Sequence, residues 1–178
     1  MKERGTMFCY NNPMREIILL VHDIRSTHNV GSLLRTAECL GASQAIMTGY
    51  TPYPATPLDD RLPHIAAKLS QQIHKTALGA ENLIVWSNEV EPLPVINRLR
   101  GEGYRVVALE QSVRSISLAD YKPTEKMCLL IGREVEGIDD DLLTHCDDVI
   151  EIPQVGQKES LNVVQATAIA LYELLICK

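Results

Sequence analysis

Short apolar runs of strand length punctuate this chain, and each is followed by a segment of helical periodicity. Glu16-Ile17-Ile18-Leu19-Leu20-Val21 is the clearest run. Its apolarity is continuous, not alternating, which marks a strand covered on both faces, as in a parallel sheet. Gln44 to Gly49, Leu83 to Trp86, Tyr104 to Leu109, Cys128 to Ile131 and Val149 to Ile152 repeat the pattern. Between them, Val30, Leu33, Leu34, Ala37 and Leu40 recur at helical spacing, with Asn29 as a good N-cap and Gly41 as the stop. Leu62 to Ala77, Leu93 to Leu99, a short acidic stretch near Asp139–His145 and the segment from Ser160 onward are further helices. Strand and helix alternate throughout, which predicts an α/β fold: a mostly parallel six-stranded sheet with helices on both faces and right-handed crossovers. The length of 178 residues fits one domain. Residues 1–14 read as a flexible lead-in. Four prolines (Pro52, Pro54, Pro57, Pro63) exclude regular structure from Tyr50 to Pro63, and a long loop of this kind is usually functional or mobile.

In parallel sheets, ligands bind beyond the carboxyl ends of the strands. Three polar loops stand there: Asn29 to Arg35, Gly132 to Gly137, and Pro153 to Asn162. The last lies between a β-branched run that stops at Pro153 and an apolar helix, so its backbone is exposed while both anchors are held. A dinucleotide site does not fit. Gly101-x-Gly103 precedes a strand instead of following one and lacks a third glycine. There is no G-x-x-x-x-G-K-[ST] phosphate loop and no G-x-S-x-G nucleophile elbow. The five cysteines (Cys9, Cys39, Cys128, Cys146, Cys177) are scattered, with none at C-x-x-C spacing. They read as reduced thiols of a cytoplasmic protein with no metal site. No apolar run is long enough to span a bilayer, and the N-terminus lacks the hydrophobic core of a signal peptide.

Each loop carries residues with both an ordinary and a functional reading. Asn29 serves as a cap and Arg35 as a solvated helix residue in the first. Yet Arg35 lies between Leu33-Leu34 and Ala37, near the side expected to face the sheet, and a half-buried arginine needs a carboxylate or phosphate. Gly132-x-Glu134-x-x-Gly137 is a glycine turn, but it puts Glu134 beyond a strand end, in reach of Arg35 or a ligand hydroxyl. Ser160 serves as an N-cap. Asn162, placed one turn inside an apolar helix, needs hydrogen-bond partners.

Taken together, Asn29-x-Gly31-x-x-x-Arg35, Gly132-x-Glu134-x-x-Gly137-Ile138 and Ile152-Pro153-x-x-Gly156-x-x-x-Ser160-Leu161-Asn162-Val163 resemble the three ordered motifs of the SpoU (TrmH-like) RNA 2′-O-methyltransferases of the SPOUT superfamily. The resemblance spans nearly the whole chain. It implies a C-terminal trefoil knot, a rare exception to the rule against threading. It implies a homodimer and S-adenosyl-L-methionine as cofactor. By match, Asn29, Arg35, Glu134, Ser160 and Asn162 are the active-site positions. Leu109, Glu110, Ile131, Gly132, Ile152, Gln154, Ser160 and Leu161 are the cofactor contacts. No added RNA-binding domain precedes the motifs, so the chain reads as a bare catalytic core. The tail is similar to tRNA guanosine 2′-O-methyltransferases, which favours tRNA over rRNA as substrate.

The implied reaction is in-line attack by a ribose 2′-hydroxyl on a sulfonium methyl. Arg35 is expected to stabilise the developing alkoxide and bind phosphate, since arginine stays protonated in proteins. Transfer of the proton to a phosphate or to water remains the alternative. A net charge of −6 argues against coating nucleic acid by bulk charge. A local basic face, with Arg25, His28, Arg61, Lys68 and Arg133, is expected to contact RNA instead. The last helix is apolar on two faces, one of Leu161, Val164, Ala168, Leu171 and Leu175, the other of Val163, Ala166, Ala170 and Leu174. A surface helix needs only one, so the second is expected to meet a partner subunit. Rival readings are a non-catalytic RNA-binding relative, a methyltransferase of a base nitrogen, and an α/β enzyme of a small metabolite.

Overall fold

The computed structural model describes residues 15–177. The expected lead-in and Cys9 therefore lie outside the described residues. Seven strands form one sheet: β1 (Glu16–His22), β2 (Gln44–Thr48), β3 (Val85–Glu89), β4 (Arg105–Leu109), β5 (Ile116–Ser117), β6 (Lys126–Ile131) and β7 (Asp148–Glu151). Their order is β3-β2-β1-β6-β4-β7-β5, and every pairing is parallel. The helices are α1 (Thr27–Leu40), α2 (Pro63–Ala77), α3 (Pro92–Gly101), α4 (Asp140–Thr144) and α5 (Val163–Tyr172), the last continued by a π-helical turn at Glu173–Cys177.

The continuous apolar runs have the cause expected of them. Along β1, Ile17, Leu19 and Val21 face a core built with α1, α2 and α5. Ile18 and Leu20 face the opposite core, built with α3 and α4. Each of these β1 residues is thus buried on one side or the other, and no solvent face remains to demand polar alternation.

Four details differ from the sequence expectation. The sheet has seven strands, not six, because Ile116–Ser117 pairs with β7 at the edge. Two residues are too few to make a periodic signal. The third strand starts and ends later than Leu83 to Trp86: Leu83 and Ile84 close a 3-10 turn onto Ala80. β3 then runs on through Ser87, Asn88 and Glu89, which an edge strand tolerates because it is not doubly buried. Asn29 is not the cap of α1. Ser26 is, its side chain accepting the Asn29 N–H at 3.3 Å. The last helix opens at Val163, with Asn162 as its N-cap, so Asn162 is not inside the helix and Ser160 lies outside it.

The proline-rich loop is held from within. Arg61 bonds Asp59 at 2.7 Å and the carbonyls of Tyr53 and Pro54 at 3.0 and 3.2 Å. Its guanidinium stacks 3.6 Å from the centroid of the Tyr53 ring.

Gly31 sits where α1 crosses α2. A Cβ there would lie 2.2 Å from both the Ile73 carbonyl oxygen and the Thr76 hydroxyl. Backbone cannot yield as a flexible side chain does, so Gly31→Ala should cost about 1–3 kcal/mol. Thermal denaturation should show a Tm lower by at least about 2 °C.

Candidate functional site

Loops beyond the carboxyl ends of β6, β4 and β7, three neighbouring strands, form an open cleft. Leu109, Glu110, Ile131, Gly132, Ile152, Gln154, Ser160 and Leu161 all line it. These are the positions that the sequence marked as cofactor contacts, and the fold brings every one of them to the same cleft. Gln111, Arg133, Val135, Gly137, Glu151, Val163 and Ala166 also line it. Of these, Arg133 was expected as an RNA contact, and Gly137 and Val163 stood in the second and third motifs; Gln111, Val135, Glu151 and Ala166 carried no site signal.

The walls are rigid for identifiable reasons. The Glu110 carboxylate accepts backbone N–H groups of Gln111 at 2.8 Å and Ile138 at 3.0 Å. This ties the end of β4 to the loop after β6. Gly137 has φ +71°, and a Cβ there would come within 2.3 Å of the Glu110 carboxylate. Arg133 and Gly137 exchange backbone hydrogen bonds at 3.2 Å, closing that loop on itself. The Gln111 amide reaches the Glu159 carbonyl at 3.3 Å, joining the β4 end to the loop after β7.

A polar node connects this cleft to the start of α1. Glu134 accepts a hydrogen bond from the Asn29 side chain at 2.9 Å, and others from the backbone N–H groups of Ser26 and Arg25 at 3.3 and 3.5 Å. The Asn162 side-chain amide donates to the Asn29 oxygen at 3.5 Å, while its own oxygen caps α5 by accepting from Val164 at 2.9 Å. Residues from all three motif loops therefore meet through Glu134, Asn29 and Asn162. Partial burial pushes the Glu134 carboxyl up. The hydrogen bonds from Asn29, Ser26 and Arg25 outweigh it and leave the group below its ordinary value.

Arg35 is placed differently from expectation. It is exposed, not half-buried, and no hydrogen bond or ion pair joins it to another described residue. Arg35 follows Asn29 by six positions, which at about 100° per residue turns it roughly 120° away on the helix. It shares the outward stripe of α1 with His28 and Cys39 and does not line the cleft of its own chain. Glu134 consequently meets Asn29, not Arg35. Ser160 is exposed at the cleft.

The expected RNA-contacting residues divide into two groups. Arg25, His28 and Lys68 are exposed. Arg61 is engaged in the loop staple, and Arg133 is paired with Asp139 and with the Gly137 carbonyl. Burial pushes the Cys146 thiol up to about 11 and raises the Cys128 thiol as well, so neither is ionised at neutral pH. Among the described residues no helix is long and apolar enough to cross a membrane, and no group of three or more His, Cys, Asp or Glu is arranged to hold a metal ion.

The fold defines a parallel α/β protein with an open cleft on three loops at the strand ends, the place where such sheets take ligands. The chain belongs to the SpoU rRNA Methylase family, which matches residues 16–172. Over 160 residues it is 31% identical to a mouse tRNA (guanosine(18)-2′-O)-methyltransferase, an alignment covering 88% of this chain and 9% of the mouse protein. It is 23% identical to the Escherichia coli K12 tRNA (guanosine(18)-2′-O)-methyltransferase, over 89% of this chain and 62% of that one. The chain thus spans less than two thirds of the length of these relatives. The crystal structure of an AdoMet-bound rRNA methyltransferase from Sinorhizobium meliloti superposes with a TM-score of 0.73 at 26% identity, covering 92% of this chain and 57% of that one.

Because the Glu134 pKa is lowered on folding, its contribution is fully present above the unfolded-chain value and is lost as pH falls through the folded value. Glu134→Gln should therefore lower Tm at about pH 7, and the gap to wild type should narrow as pH falls below the ordinary carboxylate range and the native carboxylate protonates. A Tm series across that range measures it.

Proposed function

We propose that the chain is an S-adenosyl-L-methionine-dependent methyltransferase acting on a ribose 2′-hydroxyl of structured RNA, with tRNA favoured over rRNA. The observation that carries this reading is the convergence of the three motif loops: the expected cofactor positions share one cleft, and Glu134, Asn29 and Asn162 bond together at its edge.

The cleft suits the cofactor chemically. Leu109, Ile131, Ile152 and Leu161 offer apolar walls for a flat base, while Glu134 and Glu151 give it the negative character a sulfonium and an ammonium group favour. S-adenosyl-L-methionine, held by Leu109, Glu110, Ile131, Gly132, Ile152, Gln154, Ser160 and Leu161, would supply an activated sulfonium methyl for the ribose 2′-oxygen, whose proton would pass to a phosphate or to water. The chain's own contribution is to position and to stabilise charge. Ser160, exposed at the cleft, is suited to hold ribose or phosphate. Glu134, Asn29 and Asn162 keep the loops in register.

Arg35 supplies the cation for the alkoxide and its neighbouring phosphate. Since it faces away from the cleft of its own chain, it serves the cleft of a second copy. Homodimerisation has support in α5, which leaves Ile169 and Tyr172 at 44% and 52% exposure. That outward stripe differs from the second apolar face read from the sequence, because Ala170 and Leu174 of that face are fully buried. The whole chain acts as one catalytic domain. The knot belongs to this reading too. After β4 the chain runs to the edge strand β5, returns to β6 between β1 and β4, and goes out again to β7. A cytoplasmic location accords with the unpaired Cys39, Cys128, Cys146 and Cys177.

Incubation with methyl-labelled S-adenosyl-L-methionine and total tRNA or rRNA, followed by nucleoside analysis, tests the proposal. Label recovered in a 2′-O-methylnucleoside is the expected result; label on a base, or none, overturns it. Arg35→Ala should keep its fold and its cofactor affinity yet lose about 100-fold or more in turnover. Mixing that variant with a Ser160→Ala variant should restore part of the activity through hybrid dimers.

A further inference from the structure

At the rim of the cleft, on the side of β1 and β2, an exposed tyrosine stands beside an exposed arginine. Tyr50 leaves 48% of its surface open. The Arg25 guanidinium lies 5.6 Å from the Tyr50 ring centroid, and the Arg25 side chain is 71% exposed. A tyrosine needed for packing would bury its ring, and a structural arginine would be saturated with partners. Here the ion pair of Arg25 with Glu136 is long, at 3.8 Å, and its side-chain hydrogen bond is to Tyr50 itself, so much of the guanidinium stays open to solvent.

Both residues are held by backbone that cannot drift. The Tyr50 N–H donates to the Asp23 carboxylate at 3.0 Å, and Asp23 itself takes a left-handed conformation, φ 57°. The Gly49 N–H donates to the Val90 carbonyl at 3.1 Å. A Cβ at Gly49 would come within 1.9 Å of the Asp23 carboxylate, so this turn needs glycine. The buried Thr51 hydroxyl accepts the Ile24 N–H at 3.1 Å and donates to the Val21 carbonyl at 3.2 Å. On the other side, the Arg25 N–H points to Glu134, the carboxylate at the centre of the polar node. The pair is therefore fixed to the same group that organises the cleft.

An exposed aromatic ring beside a guanidinium, both on rigid turns, suits one kind of ligand well. An unpaired nucleobase stacks on such a ring whatever its identity, and the adjacent cation meets its phosphate. We propose that Tyr50 and Arg25 form a stacking subsite for an unpaired base of the RNA, flanking the nucleotide whose ribose enters the cleft. This subsite rests on the RNA-methylating reading. It makes the preferred RNA one with a loop or bulge at the modified position, since a duplex base is already stacked within its helix.

Binding of the full chain to labelled oligo(A) of about twelve nucleotides, and to an RNA duplex of equal length, tests the subsite at low salt. Tyr50→Ala should weaken single-strand binding about tenfold and leave duplex binding within about twofold. Tyr50→Trp should restore single-strand binding, because the ring and not the hydroxyl is used. The Tm and cofactor affinity of both variants should match wild type. Unchanged single-strand binding in Tyr50→Ala, an equal loss on the duplex, or a loss matched by a fall in Tm would each overturn the subsite. If wild type methylates tRNA and Tyr50→Ala does so with the same KM for tRNA, the subsite alone fails. If wild type neither binds RNA nor methylates it, the subsite and the functional reading fail together.

Discussion

Burial of the central strands on both faces governs everything else in this molecule. From Ile17 to Val21 every β1 side chain is buried, alternately against α1, α2 and α5 and against α3 and α4. A charged or hydrogen-bonding group on such a strand would have no water and no room. Polar chemistry is therefore pushed to the loops at the strand ends, where backbone is exposed and helices begin. The cleft lies there because β6, β4 and β7 are neighbours, so their three loops are neighbours as well.

Within that edge, the Glu134 carboxylate is the link between distant parts of the chain. It is far in sequence from Asn29 and Ser26 and accepts from both. A partly buried carboxylate without such donors would favour its neutral form; with them it stays ionised and holds the start of α1 to the loop after β6. Glu110 acts in a similar way one strand over, accepting from Gln111 and Ile138. The net charge of −6 does not describe this region well. Several carboxylates are occupied internally by backbone N–H groups or by Arg105 and Arg133. Arg25, His28 and Lys68 are left exposed at the surface.

Much of the architecture was legible because its signals are local. Continuous apolar runs identify doubly covered strands, and periodicity places helices to within a few residues. What failed was of two kinds. Edge elements are short or polar, so β5 and the far half of β3 carry no run. Caps depend on which of several neighbouring polar residues takes the first position: Ser26 replaced Asn29, which freed the Asn29 side chain for Glu134, and Asn162 replaced Ser160. The expected cofactor positions came with the family resemblance and lie together in the cleft. Gln111 and Glu151 were not marked as cofactor contacts, since one lies beyond a strand end as an ordinary polar residue and the other reads as part of a strand.

Residue pattern by itself determined the α/β class, the parallel sense of the sheet and the set of polar residues worth watching, which follow from properties each residue carries with its near neighbours: apolarity, period and turn chemistry. The family came from the resemblance of three ordered motifs. Tertiary structure alone decided the strand order, which puts β6 between β1 and β4, and with it which loops become neighbours. It also decided direction. Arg35 was expected to face the sheet, and the rotation of α1 turned it outward, because Val30, Leu33, Leu34 and Ala37 took the buried side. A helix can bury only one stripe deeply, and Arg35 lies just outside the one that the apolar spacing marked.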